Sequence, residues 1–548
     1  MEAVRRRVHH AVFPESPSRR VYGEEAPAAG QRAFEGRLGR PFELDQPTTG
    51  GRVGAEESPW GPELAITYPE PELDAMIAAA ARALPAWRDA GPEARAGVCM
   101  EILARLNARS FEMAHAVMHT TGQGFAMAFQ AGGPHAQDRG VEAVAYALDL
   151  QRRVPRRAVW SRATGRDRIE TFEKEYVIVP HGLGLVVGCS TFPTWNGYPS
   201  LFADLATGNP VLVKPHPRVI LPLAITVQVA REVLREAGFD PALVQLVVDT
   251  PERPLAKVLA VRPEIRLIDF TGSTAFGDWL ERNAPQARVF TEKAGVNCVI
   301  LHSTDDYRGM LANLAFSLSL YSGQMCTTPQ NVFVPAGGID TDRGRKGFEE
   351  VAADLVAAID RLLADPARAG EILGCIQNPA TLERIARVEE AAGADVLRPS
   401  TPLEHPKFPR ARIRTPLVVR ARSGEMDRYG EELFGPISFV VEADDVDDAI
   451  ARVDHLLATR GALTLLAHAT DAAVMARIEA MALARGVALS ENLTGGVYVN
   501  QSAAFSDYHA TGVNPAANAT LVDEDFVASR YHIVQRRRPC REGGGGGS

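Results

Sequence analysis

The chain has 548 residues, 46% hydrophobic and 23% charged, with a formal net charge of -9. That length exceeds one compact core and predicts two or three domains. The charge offers nucleic acid no basic footprint, no uninterrupted apolar stretch approaches a membrane span, and residues 1–14, though basic, lack the apolar run of a signal peptide.

A cytoplasmic enzyme is therefore expected. Six scattered cysteines (Cys99, Cys189, Cys298, Cys326, Cys375 and Cys540) include no Cys-x-x-Cys pair. Such usage fits a reducing compartment, and neither disulfides nor a metal site is expected.

Residues 1–65 are rich in Gly, Pro, Arg and Glu and read as an extended arm. A helical pattern follows, with Leu73, Met76, Ile77 and Ala80 on one face, then Leu84 and Trp87. A second helix carries Val98, Ile102, Leu103 and Leu106, and a third is expected over residues 141–150. Residues 151–180 alternate and read as a projecting hairpin. Between His181 and Lys293 five apolar runs alternate with helical stretches, at 184–189, 211–214, 243–248, 265–270 and 287–291. That rhythm predicts a parallel sheet with crossover helices. A second alternating region runs to about Asn500, with helices near 305–321, 346–364, 445–456 and 471–485. Residues 526–535 read as a closing strand, and 541–548 as a Gly-rich flexible tail.

Six stretches carry chemistry. Cys326, in Ser322-Gly-Gln-Met-Cys-Thr-Thr-Pro-Gln-Asn, falls where a helical pattern ends. It is either a structural thiol or a nucleophile. Glu292 lies just after the fifth strand, as a general base or a solvated charge. Asn196 follows the first strand, as an oxyanion donor or a helix cap. Lys214 ends the second strand, where it can hold a nucleotide or snorkel. Gly272, Ser273 and Thr274 form a strand–turn–helix phosphate cradle without the Gly-x-Gly-x-x-Gly fingerprint. Glu431-Glu-Leu-Phe-Gly-Pro alone reads as a loop.

Together and in this order, from about Tyr176 to Asn500, these motifs resemble the aldehyde dehydrogenases. The resemblance implies a Rossmann-like cofactor domain over 66–150 and 181–293, an α/β catalytic domain over 294–519, and an oligomerisation arm from 151–180 and 520–540. It implies Cys326 as nucleophile, Glu292 as base and Asn196 as oxyanion amide, with Lys214, Arg218, Gly272, Ser273, Thr274, Glu432, Phe434 and Trp195 around the cofactor. In that family the hairpin and C-terminal strand pair across subunits, so a homodimer or homotetramer is expected.

The chain departs from the family pattern in two places. It has Glu292-Lys-Ala-Gly-Val where Glu-Leu-Gly-Gly-Lys is usual. Pro217, followed by Arg218, stands where NAD-preferring members carry a glutamate, which favours NADP over NAD.

Phe290-Thr-Glu-Lys-Ala-Gly-Val-Asn, Cys326-Thr-Thr-Pro-Gln-Asn, Ser506-Asp-Tyr-His-Ala-Thr-Gly and the opening Phe13-Pro-Glu-Ser-Pro-Ser are similar to the PaaN-like branch, tied to phenylacetate degradation. Related BoxD enzymes of benzoate degradation act on a CoA-linked semialdehyde, which makes such a semialdehyde the expected substrate. A CoA-acylating enzyme is the rival within the family, and Glu292 speaks against it; a non-catalytic relative would have to retain Cys326, Glu292 and Asn196 by chance. Tyr508 and His509 line the substrate mouth or cap a loop, and the sequence leaves both readings open.

Overall fold

A computed structural model describes residues 1–54 and 56–540, so the Gly-rich tail expected over 541–548 lies outside the described residues. Five strands make an all-parallel sheet in the order Val244–Leu246, Val211–Lys214, Leu183–Val187, Ile265–Thr271, Arg288–Glu292. Its side chains alternate between two packed faces: Val186, Val211 and Val213 join one apolar core, and Leu185, Leu212 and Ile268 another. Burial on both faces is why these runs are continuously apolar. The helices Pro193–Thr207 and Leu221–Glu236 are crossovers of this sheet.

The helices Leu73–Asp89 and Gly91–Ala108 pack beside it. They break at Gly91, whose φ of 83° suits glycine, followed by Pro92 in the first turn of the second helix. Two helices that were not expected, Ser110–Thr121 and Phe125–Gly132, follow. The third expected helix is longer than predicted, at Pro134–Arg152.

The first 65 residues fold more than an extended arm would. The helix Ala26–Glu35 lays Phe34 on the His119 ring, centroids 5.0 Å apart. Gln46 exchanges two hydrogen bonds with the Leu246 backbone, 2.7 and 2.9 Å, covering the open edge of the parallel sheet. Buried Glu56 accepts from the N–H groups of Ile220 and Leu221, capping the helix Leu221–Glu236 from a distance.

A second sheet has seven strands in the order Val396–Arg398, Leu417–Arg422, Ile437–Ala443, Asn331–Pro335, Cys298–Leu301, Thr464–His468, Ala488–Glu491. Among these the pair Val396–Arg398 and Leu417–Arg422 is antiparallel, and the others are parallel. The four helices expected here lie at Tyr307–Ser319, Phe348–Leu362, Val446–Thr459 and Ala472–Arg485.

The hairpin Arg157–Ala163 and Ile169–Pro180 takes up the C-terminal strand Tyr531–Pro539 of the same chain, antiparallel to Ile169–Pro180. The closing strand starts later than expected. Phe526 belongs to a short helix, Glu524–Ala528, because Asp523 accepts its N–H and starts a helical turn. Buried Arg530 joins this segment to the helix Pro193–Thr207 through Asp204 and to the five-stranded sheet through Asp269, each at 2.6 Å. Among the described residues no helix is long and apolar enough to cross a membrane.

Candidate active site

The Tyr307–Ser319 helix ends in a tight turn, Leu320–Gly323, in which Tyr321 and Ser322 take φ values of 51° and 49°. Left-handed backbone at non-glycine residues is costly and needs support. Tyr321 Oη donates to the Thr121 carbonyl at 2.6 Å, and Ser322 Oγ reaches the Leu373 carbonyl at 3.0 Å. The turn delivers Cys326. Asn297, which the sequence did not single out, then fixes it. Its Nδ2 donates to the carbonyls of Cys326 and Thr328 at 2.7 and 3.0 Å. Its Oδ1 accepts from the N–H groups of Leu463 and Thr464. An asparagine five residues past Glu292, at the start of a buried strand, was the available signal.

Glu292 is the last residue of the edge strand Arg288–Glu292 and is 5% exposed. A carboxylate there meets the crevice at the carboxyl ends of the strands. Its Oε2 accepts from Asn196 Nδ2 at 3.1 Å and lies 3.1 Å from His509 Nε2, while Oε1 has no hydrogen-bond partner among the described residues. Asn196 sits in the first turn of the helix Pro193–Thr207, and Cys189 Sγ donates to its Oδ1 at 3.7 Å. Cys326 Sγ lies 3.5 Å from the same His509 Nε2. Sequence reasoning left His509 undecided; the fold brings it to the centre.

Burial, then the Glu292 charge, pushes the Cys326 thiol well above the ordinary thiol range. Burial would also raise Glu292, but the His509 charge and hydrogen bonds from His509, Cys326 and Asn196 outweigh it and hold that carboxyl below its usual value.

Two cavities, each of about 520 Å³, meet at this cluster. One is a cleft along the sheet edge, lined by Lys214, Gly272, Ser273, Glu432 and Phe434. Ser273 is the N-cap of the helix Thr274–Asn283 and its hydroxyl makes no capping bond, so first-turn N–H groups remain for an anion. A Cβ at Gly272 would come within 2.6 Å of the Phe270 ring, so that turn excludes a side chain. Lys214 pairs with buried Asp249 at 2.8 Å. Burial pushes the Glu432 carboxyl up to about 7, against a Gly295 N–H and the Arg384 charge that lower it. This donor and acceptor set fits a dinucleotide.

Three residues expected around the cofactor are placed elsewhere. Arg218 is not among the cleft's lining residues, but its Nη1 reaches Asn378 Oδ1 at 3.3 Å and its backbone N–H is tied to His216 Nδ1, and both of those partners line the cleft. Thr274 is exposed at the helix start, outside that lining. Trp195 points the other way, to the second cavity.

That second cavity is largely apolar, walled by Met127, Phe192, Trp195, Phe316, Ile372 and Tyr498. The Phe316 and Tyr498 rings stack 4.1 Å apart. Cys326, Asn196 and Phe192 line both cavities.

A half-buried thiol shared between a dinucleotide-sized cleft and an apolar cavity defines a cysteine-dependent α/β oxidoreductase. The profile of the Aldehyde dehydrogenase family matches residues 66–514. A solved structure, the NAD-dependent aldehyde dehydrogenase from Burkholderia multivorans, superimposes with a TM-score of 0.96 at 55% identity, over 98% of this chain and 96% of that one. The N-succinylglutamate 5-semialdehyde dehydrogenase of Burkholderia mallei strain SAVP1 is 26% identical, over 70% of this chain and 74% of its own. A 1-pyrroline-5-carboxylate dehydrogenase at 18% identity shares the fold, with a TM-score of 0.74 over 97% of this chain and 99% of that one. The chain belongs to the aldehyde dehydrogenase family.

Proposed function

We propose that the enzyme oxidises an aldehyde held in the apolar cavity to a carboxylic acid, by way of a thioester on Cys326. The observation that carries this reading is that Cys326 and Asn196 line both cavities, so one thiol faces substrate and cofactor together. The Cys326 thiolate attacks the aldehyde carbon, and the oxygen that gains charge is received by the Asn196 amide and the Cys326 backbone N–H. The dinucleotide, when bound in the cleft, supplies the hydride acceptor. Glu292 then takes a proton from the water that hydrolyses the thioester. Its unpartnered Oε1 is the oxygen free to do so.

Water, rather than CoA, is the acyl acceptor in this reading because Glu292 is present and buried at the thiol. The cofactor is NAD: the relative at 55% identity is named NAD-dependent. The substrate is a CoA-linked semialdehyde of aromatic catabolism. This rests on the motifs of the PaaN-like branch, and the aromatic walls of the cavity suit an apolar chain behind the aldehyde. The protein works as a homodimer or homotetramer through the three-stranded arm, where Val159, Ile169, Ile533 and Val534 are exposed. A monomeric mass at micromolar concentration would contradict that assembly.

The direct test is steady-state reduction of NAD and NADP by purified protein, with a panel of aliphatic, aromatic and CoA-linked aldehydes, with and without free CoA. Turnover without free CoA, lost in Cys326→Ala, is the expected result. Turnover that needs added CoA would make the enzyme an acylating one.

A further inference from the structure

His509 is held from both ends. Its backbone exchanges two 2.8 Å hydrogen bonds with Leu521, and its ring sits edge-on against Trp195 with centroids 4.7 Å apart. The ring is buried, and its Nε2 is aimed between Glu292 Oε2 at 3.1 Å and Cys326 Sγ at 3.5 Å. The three groups lie within 4.8 Å of one another.

Attack on an aldehyde needs a thiolate, and the later water step needs an ionised Glu292. Two anions this close each oppose the other's ionisation. A cation between them removes the conflict. His509 is the group placed to become one. Charged groups nearby are already committed: Arg139, 5.2 Å from the Trp195 ring centroid, pairs with Glu142 at 2.9 Å, and Asp507, two residues before His509, accepts from the Ala503 N–H at 2.6 Å. His135, nearby on the Pro134–Arg152 helix, is kept neutral, pushed down to about 3 chiefly by burial.

We propose that His509 is a catalytic residue that takes the proton of Cys326, so that Glu292 stays ionised for the water step. The proposal rests on Cys326 being the nucleophile. In the transfer the S–H bond breaks and an Nε2–H bond forms; thiol becomes thiolate, imidazole becomes imidazolium, and the net charge is unchanged. With the proton on sulfur, Nε2 accepts it at 3.5 Å and offers Glu292 nothing; the depressed Glu292 carboxyl corresponds to the arrangement after transfer, in which His509 is charged and donates to it. After transfer the new N–H lies between carboxylate and thiolate and serves both. When the thiolate attacks, its charge moves to the substrate oxygen and the N–H turns fully to Glu292. The thiolate released on hydrolysis meets the same imidazolium.

The test is the pH dependence of Cys326 alkylation by iodoacetamide in the full-length protein, read by peptide mass mapping so that the other five cysteines do not interfere. Burial and the Glu292 charge alone would hold the thiol high; pairing with the His509 imidazolium is expected to outweigh them and bring the half-maximal rate in the unsubstituted enzyme below about pH 8.5, the value of an ordinary thiol. In His509→Gln it is expected to move up by more than about one pH unit, with at least a tenfold slower reaction at pH 7, as one unit of thiol ionisation requires. His509→Asn serves if the glutamine variant does not fold, and the unsubstituted profile needs no variant at all. A half-maximal pH at or above the ordinary thiol value, or variants within twofold of the parent at every pH, would overturn the proposal. The readout is thiol ionisation rather than turnover. Failure here is therefore separable from failure of Cys326 as the nucleophile, which shows in the Cys326→Ala turnover.

Discussion

The Asn196 side-chain amide donates to Glu292 Oε2 at 3.1 Å, which ties the proposed oxyanion donor to the proposed base before any substrate arrives. One Nδ2 hydrogen is engaged there, and the second is free to meet the aldehyde oxygen. Replacing Asn196 by Ala removes both contacts. Turnover is expected to fall by about 10²–10³, the cost of one oxyanion donor. The Glu292 carboxyl should also move up from its depressed value, which the acid limb of the pH–rate profile reports.

Glu292→Gln keeps the shape of the site and removes the proposed base. A rapid burst of cofactor reduction equal to the enzyme concentration should survive, while steady-state turnover drops by about 10²–10⁴. Stopped-flow absorbance separates the two phases. Loss of the burst together with turnover would place Glu292 in the attack step instead.

Arg530 is fully buried between Asp204 and Asp269, 2.6 Å from each, with the Phe526 ring 4.1 Å from its guanidinium carbon. Removing it strands two carboxylates in the core. Arg530→Met should cost about 3–5 kcal/mol, the range for breaking a buried ion pair from one side. Urea denaturation reads this as a shift of midpoint. A change under about 1 kcal/mol, the value of an exposed pair, would show that the network is dispensable.

Glu432, with its carboxyl at about 7 in the free enzyme, lines the cofactor cleft. An ionised carboxylate accepts ribose hydroxyls more strongly than a neutral acid does. Cofactor binding therefore favours the ionised form and releases a proton. Affinity should rise with pH through about 7 and level off above it, as linkage requires. Fluorescence titration of the cofactor checks this, and Glu432→Gln should flatten the dependence.

Much of this was legible in the sequence, for physical reasons. The parallel strands were visible because burial on both faces leaves continuous apolar runs, as at Val211–Lys214. Cys326 and Glu292 stood out because one follows a helical turn and the other ends a strand, but position left both readings open and the order of the motifs decided their proposed roles. The helix Ser110–Thr121 was missed because every one of its residues except His115 is buried, which erases the amphipathic stripe. Phe526 was misread because a local Asp523 cap overrode an apolar run. His509 stayed ambiguous because its partners lie 183 and 217 residues away in the chain, so no local pattern announces them.

The central claim is a thioester on Cys326. It is tested most directly by intact-mass measurement of Glu292→Gln after mixing with NAD and an aldehyde substrate. The account predicts a stable adduct equal to the aldehyde less two hydrogens, mapped to the Cys326 peptide and absent in Cys326→Ala. Product formation with no adduct on Cys326, or an adduct on another cysteine, would contradict it.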